Sequence, residues 1–432
     1  MKNVFSRRAL GQWTRVTLAS GGLYLLCAGP AWAQEIHSGR PVLGLENAIK
    51  NVRFEAAAEE GQAPAASSDP VLNFFRGTEL SGFVDMYYTY NGNKPQRPCA
   101  NVGSVAISNC LYNFNVAHNS FSLNLAEVAL EKKPTADSRG GFRIDLDYGS
   151  ATGIVHGFEP GGLGLYQNIQ QAYVSYLAPA GTGLQLDFGK FVTPAGFEVI
   201  ETKDNWNYSR SLLFALAIPY YHMGMRAIYS PSDKVTVAGY LVNGWNNVVD
   251  NNTGKTVGAS VTLKPTGAVS IIENYLGGPE QTNDNADWRH LSDTIVTYTA
   301  TKQVSLAANY DYGQEKVSGT TVKWQGVAGY LKYQANGWFA LVPRAEYFDD
   351  TKGGFATAGS AFQTTGFASS AGKIKEFTLT AEFKHKDGVM MRLEYRGDFS
   401  DQPFFLKNFD EPVKNQNTFT VGIIYAFSSK AP

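Results

Sequence analysis

The chain has 432 residues, 44% hydrophobic and only 17% charged, with 23 Tyr, 44 Gly and a formal charge of −1. This length allows one large barrel or two to three ordinary domains, and a composition rich in Tyr and Gly suits strands better than helix bundles. The near-neutral balance leaves no basic surface for nucleic acid, so a nucleic-acid partner is excluded.

In chain order, residues 1–33 read as a secretory signal. Lys2, Arg7, Arg8 and Arg15 form its basic start, an apolar stretch follows around Leu18–Ala28, and Ala31-Trp32-Ala33 gives a small-x-small cleavage pattern before Gln34. Removing its four cations takes the formal charge from −1 to −5. No later segment offers some twenty uninterrupted apolar residues, which excludes a bundle of membrane helices. Residues 34–78, with Glu55-Ala56-Ala57-Ala58-Glu59-Glu60 and Pro64-Ala65-Ala66-Ser67-Ser68, show no period-2 pattern and read as a partly disordered periplasmic leader. Residues 79–432 read as the barrel domain.

From Leu80 to Phe427 the chain is a series of short segments of period 2. The expected strands are Leu80–Tyr90, Phe121–Lys132, Gly141–Gly149, Ile169–Ala178, Leu184–Phe191, Tyr221–Ser230, Lys234–Trp245 and Thr256–Lys264. The series continues with Val269–Leu276, Ser292–Thr301, Val304–Gln314, Trp324–Gln334, Trp338–Phe348, Lys375–Lys386, Val389–Asp398 and Thr418–Phe427. Each approaches the about 9–11 residues of a tilted membrane-crossing strand. Their connections alternate in length. Short ones such as Asn336-Gly337 and Asp387-Gly388 carry residues that accept the positive φ of tight hairpins. Long ones occupy 91–120, 150–168, 192–220, 246–255, 277–291, 315–323, 349–374 and 399–417. The expectation is an all-β, transmembrane, antiparallel up-and-down barrel of about sixteen strands, with periplasmic turns and extracellular loops, held in outer-membrane lipid. Some strands, Phe121–Lys132 among them, shift phase midway and call for bulges.

The two faces of the strands support this. Phe142, Ile144, Leu146 and Tyr148 alternate with Arg143, Asp145 and Asp147, and Val389, Met391, Leu393 and Tyr395 alternate with Met390, Arg392, Glu394 and Arg396. Lipid demands the apolar face and a wet lumen tolerates the charged one. Candidate lumen-wall residues are Arg143, Asp145, Asp147, Asp187, Arg226, Asp311, Arg344, Glu346, Arg392, Glu394 and Arg396. Each serves either as solute contact or as a structural ion pair within the lumen.

Loop 192–220 combines charges with the apolar run Leu212–Ile218, which should not stand free in water. Folded inward, it would narrow the pore, with Glu198, Glu201, Lys203, Asp204 and Arg210 as candidate constriction residues. Folded outward, it would pack on neighbouring loops. Cys99 and Cys110 flank a short polar segment and are expected to pair in an oxidising compartment, contributing about 2–3 kcal/mol. The alternative is two free thiols.

Enzyme readings find little support. The six His, at 37, 118, 156, 222, 290 and 385, show no metal spacing, and no Gly-x-Ser-x-Gly elbow, P-loop or dinucleotide fingerprint occurs. No cofactor or metal is expected.

The stretch Phe188-Gly189-Lys190-Phe191, Pro194-Ala195-Gly196-Phe197-Glu198, Asn207-Tyr208-Ser209-Arg210-Ser211, Pro219-Tyr220-Tyr221-His222-Met223-Gly224 and Tyr240-Leu241-Val242-Asn243-Gly244-Trp245-Asn246 resembles the OmpL-like outer-membrane β-barrel porin family of Gram-negative bacteria. The resemblance extends from about Leu80 to Phe427 and implies an outer-membrane porin without naming a substrate. One departure is the tail Ser428–Pro432 after Phe427, where such barrels often end on an aromatic residue. The expected function is passive diffusion of small polar solutes or ions. A homotrimer is an expectation by analogy alone. The rival expectations are a plugged barrel that binds or adheres through its external loops, a barrel enzyme, and a soluble secreted β-protein.

Overall fold

The structure, a computed structural model, describes residues 77–102, 105–157, 164, 166–317, 319–352 and 372–430. The expected signal and almost all of the expected leader lie outside them.

Sixteen antiparallel strands close into one barrel. They are β1 (Glu79–Asn91), β2 (Phe121–Lys132), β3 (Gly140–Tyr148), β4 (Ile169–Ala178), β5 (Leu184–Val192), β6 (Tyr221–Ser232), β7 (Val235–Val242) and β8 (Thr256–Thr266). The ring continues through β9 (Val269–Pro279), β10 (Trp288–Thr299), β11 (Val304–Val317), β12 (Thr320–Gln334), β13 (Phe339–Lys352), β14 (Lys373–Lys384), β15 (Val389–Ser400) and β16 (Asn415–Ser428). Each strand pairs with its sequence neighbours, and β1 closes on β16 in an unbroken ladder from Ser81↔Ser428 to Asn91↔Thr418. Closure leaves no open edge, as a lipid-embedded sheet requires. Among the described residues the long loops carry two α-helices, α1 (Ser150–Val155) and α2 (Leu212–Leu216), the latter capped by the Ser211 hydroxyl accepting from the Phe214 N–H.

Alternation is strict on most strands. Leu393, Phe419, Val421, Ile423 and Tyr425 point outward, whereas Arg392, Glu394, Thr418 and Thr420 are buried within. Polar inside and apolar outside inverts the pattern of a soluble barrel.

Bulges change what faces inward. Asp85 pairs with Leu125 and Met86 with Leu123, so Asn124 is the extra residue of β2. It buries beside Leu125 and donates to Asp85 Oδ2 at 2.6 Å. Likewise Asp145 pairs with Gln171 and Leu146 with Ile169, which turns both Gln170 and Gln171 inward. Gly189 and Gly224 face each other across β5 and β6 with φ of +143° and +159°. A side chain there would be strained and would strike the neighbouring backbone. The kink puts Lys190, Phe191 and Val192 all inside, at the root of the loop that follows.

One expected long loop is absent. At 315–323 the ladder of β11 and β12 runs on to Val317↔Thr320, closed by a turn with Gly319 at φ +84°. Val317, Thr320, Thr321 and Val322 are β-branched and extend the strands instead of leaving them.

Candidate functional site

Much of the space inside the barrel is taken up by the chain itself. After β5, loop 193–220 turns into the lumen and returns to its starting point, so that the Thr193 N–H donates to the Tyr220 carbonyl at 3.0 Å. Its apolar residues Phe197, Trp206, Leu212, Leu213, Phe214 and Ile218 are buried together with wall residues such as Tyr330, Trp324 and Phe348. The apolar run that could not stand in water has therefore found an interior to pack in.

The polar residues of the loop are held by the wall at β13–β15. Arg344 pairs with Glu198 at 2.8 Å, donates to the Ser209 carbonyl at 2.7 Å and also pairs with Glu376 at 3.1 Å. Glu346 accepts from the Leu212 N–H at 2.8 Å. Glu394 accepts from the N–H groups of Tyr208 and Ser209 at 2.6 and 2.9 Å. Arg392 pairs with Glu382 at 2.7 Å and donates to the carbonyls of Thr202 and Asn207 at 2.8 and 3.0 Å. Arg396 donates to the Arg210 carbonyl at 2.7 Å and pairs with Asp398 at 2.8 Å. These five candidate wall residues are at most 6% exposed and are engaged with the loop. Arg210 is likewise directed into the loop. Its guanidinium donates to the carbonyls of Val199, Tyr208 and Ile200 and lies over the Phe114 ring, 4.4 Å from the centroid. Burial lowers its pKa from the ordinary arginine value, with nearby carboxylates opposing the shift.

The remaining expected residues lie around the other walls. Arg226 pairs with Asp187 at 2.7 Å, with its guanidinium stacked on Tyr173 and Phe191. Asp311 accepts from Asn309 at 3.2 Å. Arg143 pairs with Asp145 at 2.9 Å, and Asp147 stands opposite Glu127 in the ladder. Glu201 accepts from Gln170 at 2.8 Å, while Lys203 pairs with Asp204 at 2.5 Å. Burial alone would lower Lys203, but its pairing with Asp204 and the attraction of Glu127 and Glu201 together raise it above the ordinary lysine value. These two partly exposed side chains border a cavity of about 170 Å³ that also touches Glu79, Glu127, Glu131 and Arg143.

Two contributors escaped the sequence reading. Asp85 accepts from Asn124, Thr202 and the Tyr208 hydroxyl, so it anchors the loop from the β1 side. The only sequence signal was an acid on the inward phase Phe83, Asp85, Tyr87, Thr89. Loop 92–120 also tucks inward. Asn113 donates to the Ala215 carbonyl at 2.8 Å, Phe114 packs on Phe214, and the Tyr112 hydroxyl meets Thr418 at 2.7 Å. Cys99 and Cys110 are joined in that loop with their Cα atoms 5.7 Å apart, beside a two-stranded hairpin. The alternation of Asn with apolar residues in Tyr112–Val116 was the available signal.

Sixteen closed strands, an apolar exterior and a polar wall folded around an inward loop define an outer-membrane β-barrel of the porin class. The family profile described as "Putative beta-barrel porin-2, OmpL-like" matches residues 77–427, and the chain belongs to that family. Solved structures of similar fold include an anion-selective porin from Comamonas acidovorans, 12% identical with a TM-score of 0.52 over 81% of this chain and 99% of that one. OmpF of Salmonella typhi in complex with daunomycin is 15% identical with a TM-score of 0.52, covering 81% and 97%. The trimer form of OmpT from Vibrio cholerae is 12% identical with a TM-score of 0.51, covering 81% and 99%. No curated protein sequence matches the chain.

Proposed function

We propose that this barrel is a porin that passes small polar solutes or ions by passive diffusion, along a lumen narrowed by loop 193–220. The supporting observation is the loop itself, held inside the barrel by Arg344, Arg392, Glu394 and Asp85. A loop anchored on both sides of the lumen reduces the free cross-section and leaves fixed charges beside whatever path remains. So many inward side chains are buried that the unitary conductance should be small. The test is single-channel recording of the refolded, signal-free protein in a planar bilayer with a salt gradient. Small ohmic steps support the proposal, and the reversal potential gives the sign of the preferred ion.

The same burial favours one second reading, in which the lumen is plugged and the long loops serve as a binding surface. A heat-modifiable, folded barrel without any steps would establish that reading and exclude diffusion. A homotrimer is part of the proposal by analogy with the trimeric OmpT form. Crosslinking of the detergent-extracted barrel tests it, and a single monomer band would refute it.

A further inference from the structure

Glu127 on β2, Asp145 on β3 and Glu201 on loop 193–220 each bring a carboxylate oxygen within 4.8 Å of the other two. Asp147 stands directly across the ladder from Glu127, and neither of its oxygens has a hydrogen-bond partner. Glu127 Oε2 and the amide oxygen of Gln170 are equally unpartnered, although Gln170 Nε2 already donates to Glu201 at 2.8 Å. All of these side chains are at most 4% exposed.

Such an arrangement is costly without a counterion. Like charges directly opposite in a ladder repel, and buried acceptors without donors lose their water for nothing in return. The local cations do not balance the cluster. Arg143 serves Asp145 at 2.9 Å and approaches Glu131 at 3.8 Å, Lys203 pairs with Asp204 and also attracts Glu127 and Glu201, and Lys190, over the Tyr221 ring at 4.0 Å, attracts Asp147, so three cations face six carboxylates. Asp145 is served by Arg143 and by the Gln171 amide, so the excess falls on Glu127, Asp147 and Glu201 with one amide oxygen beside them, a donor set of oxygens only. Hard divalent cations of the calcium kind take six to eight oxygens at about 2.3–2.6 Å, so oxygens sharing one ion lie up to about 5 Å apart. The spacing of the Glu127, Asp145 and Glu201 oxygens fits that sphere, and Asp147 flanks it from across the ladder. The cavity of about 170 Å³ touching Glu127 and Glu201 provides an approach.

We propose that Glu127, Asp145, Asp147 and Glu201, with the Gln170 amide oxygen, bind one Ca²⁺ ion that fastens loop 193–220 to the wall at β2–β4. Three of the carboxylates belong to the wall and one to the loop, so the ion would supply on this side the attachment that Arg344 and Arg392 supply on the other. The site goes beyond the diffusion reading and does not depend on whether the lumen conducts.

The test is calorimetric titration of CaCl₂ into the refolded, chelator-stripped barrel at neutral pH, with the thermal midpoint followed in parallel. One saturable ion per chain is expected, with a rise in the midpoint. Asp147→Asn and Glu201→Gln should each weaken binding at least about tenfold and abolish the rise. Gln170→Leu, which leaves every charge in place, should weaken it less. Asp250→Asn, in a different loop, should change nothing. Absence of Ca²⁺ binding to the unaltered barrel would overturn the proposal and leave a shared proton between Glu127 and Asp147 as the relief of repulsion. Binding unchanged in both Asp147→Asn and Glu201→Gln would overturn it as well. Conductance recorded on the same preparations keeps this outcome separate from that of the diffusion proposal.

Discussion

Arg392 and Arg226 look alike in the sequence, each an arginine on the inward phase of a strand, yet they do different things. Arg392 reaches the loop carbonyls of Thr202 and Asn207, whereas Arg226 pairs with Asp187 on the adjacent strand. Arg392 also pairs with Glu382 of the wall, but it holds the loop through hydrogen bonds from a charged group, each worth about 1.5–3 kcal/mol. Arg392→Ala should therefore release the loop, raising hydrogen exchange at 199–210 while the wall strands stay protected. Arg226→Ala should leave exchange in the loop unchanged. Equal protection of the loop in both variants would refute this division of roles. Glu280, just beyond β9, illustrates another residue whose place in the fold decides its chemistry. Burial raises its pKa to about 7, against the lowering effects of Arg289, the Thr256 hydroxyl and the Trp245 N–H, with Glu315 adding repulsion. An acid whose pKa rises on folding stays protonated in the native state after the unfolded chain has lost its proton. Its contribution to stability is thus greatest below pH about 4.5 and falls as pH rises to about 7. The junction between loop 243–255 and loop 280–287 should loosen over that interval, and Glu280→Gln should flatten the dependence measured by proteolysis of the folded barrel. A pH profile identical in the variant would exclude Glu280 as its cause. Alternation in the sequence could place Arg392, Glu394 and Arg396 inside, but inside a barrel means either water or a folded loop. Only the residues they meet, 180 or more positions away along the chain, distinguish the two.

Strands were the most legible elements because lipid enforces period 2 and hairpins require particular turn residues. The misread connection at 315–323 shows the limit. Thr and Val continue a ladder as readily outside the membrane as within it, so composition there did not mark a loop. The bulge in Phe121–Lys132 was legible as a shift of phase, which Asn124 supplies, whereas the one at Gln170 was not, since an extra residue reverses the phase without changing the composition. The apolar run Leu212–Ile218 marked the loop as one that needs an interior, but the wall residues it packs on were not legible, because the fit depends on small residues at remote positions. The Tyr208 ring lies on Gly422 of β16, and the Leu213 side chain lies against Gly326 of β12, where any Cβ would collide. Gly422→Val should push Tyr208 away from the Asp85 carboxylate that accepts its hydroxyl and displace the loop toward the free part of the lumen. The expected result is an altered unitary conductance from a barrel that still shows heat-modifiable migration. Unchanged conductance would mean that the loop absorbs the added volume without moving.

At the scale of the whole molecule, barrel and filling are built on different principles. The wall is a continuous backbone ladder closed by β1 on β16, and its apolar contacts face outward to lipid. None of that ladder uses loop 193–220, although the loop consumes the charges of β13 and β15. Those charges would not be stranded in oil if the loop were absent, because an emptied lumen fills with water and solvates Arg344, Arg392 and Glu394. The loop is thus a separable insert, and its geometry permits removal. Thr193 and Tyr220 are already within hydrogen-bond distance, so a short Gly-Ser turn can replace residues 195–218 without spreading β5 from β6. The shortened chain should refold to a heat-modifiable barrel, and its conductance should rise well above that of the intact protein. If the intact barrel is silent and the shortened one conducts, the loop is a plug. If both conduct and the shortened one conducts more, it is a constriction. A shortened barrel that folds and conducts no better would show that the filling of loop 92–120, with Tyr112 and Phe114, blocks the lumen by itself.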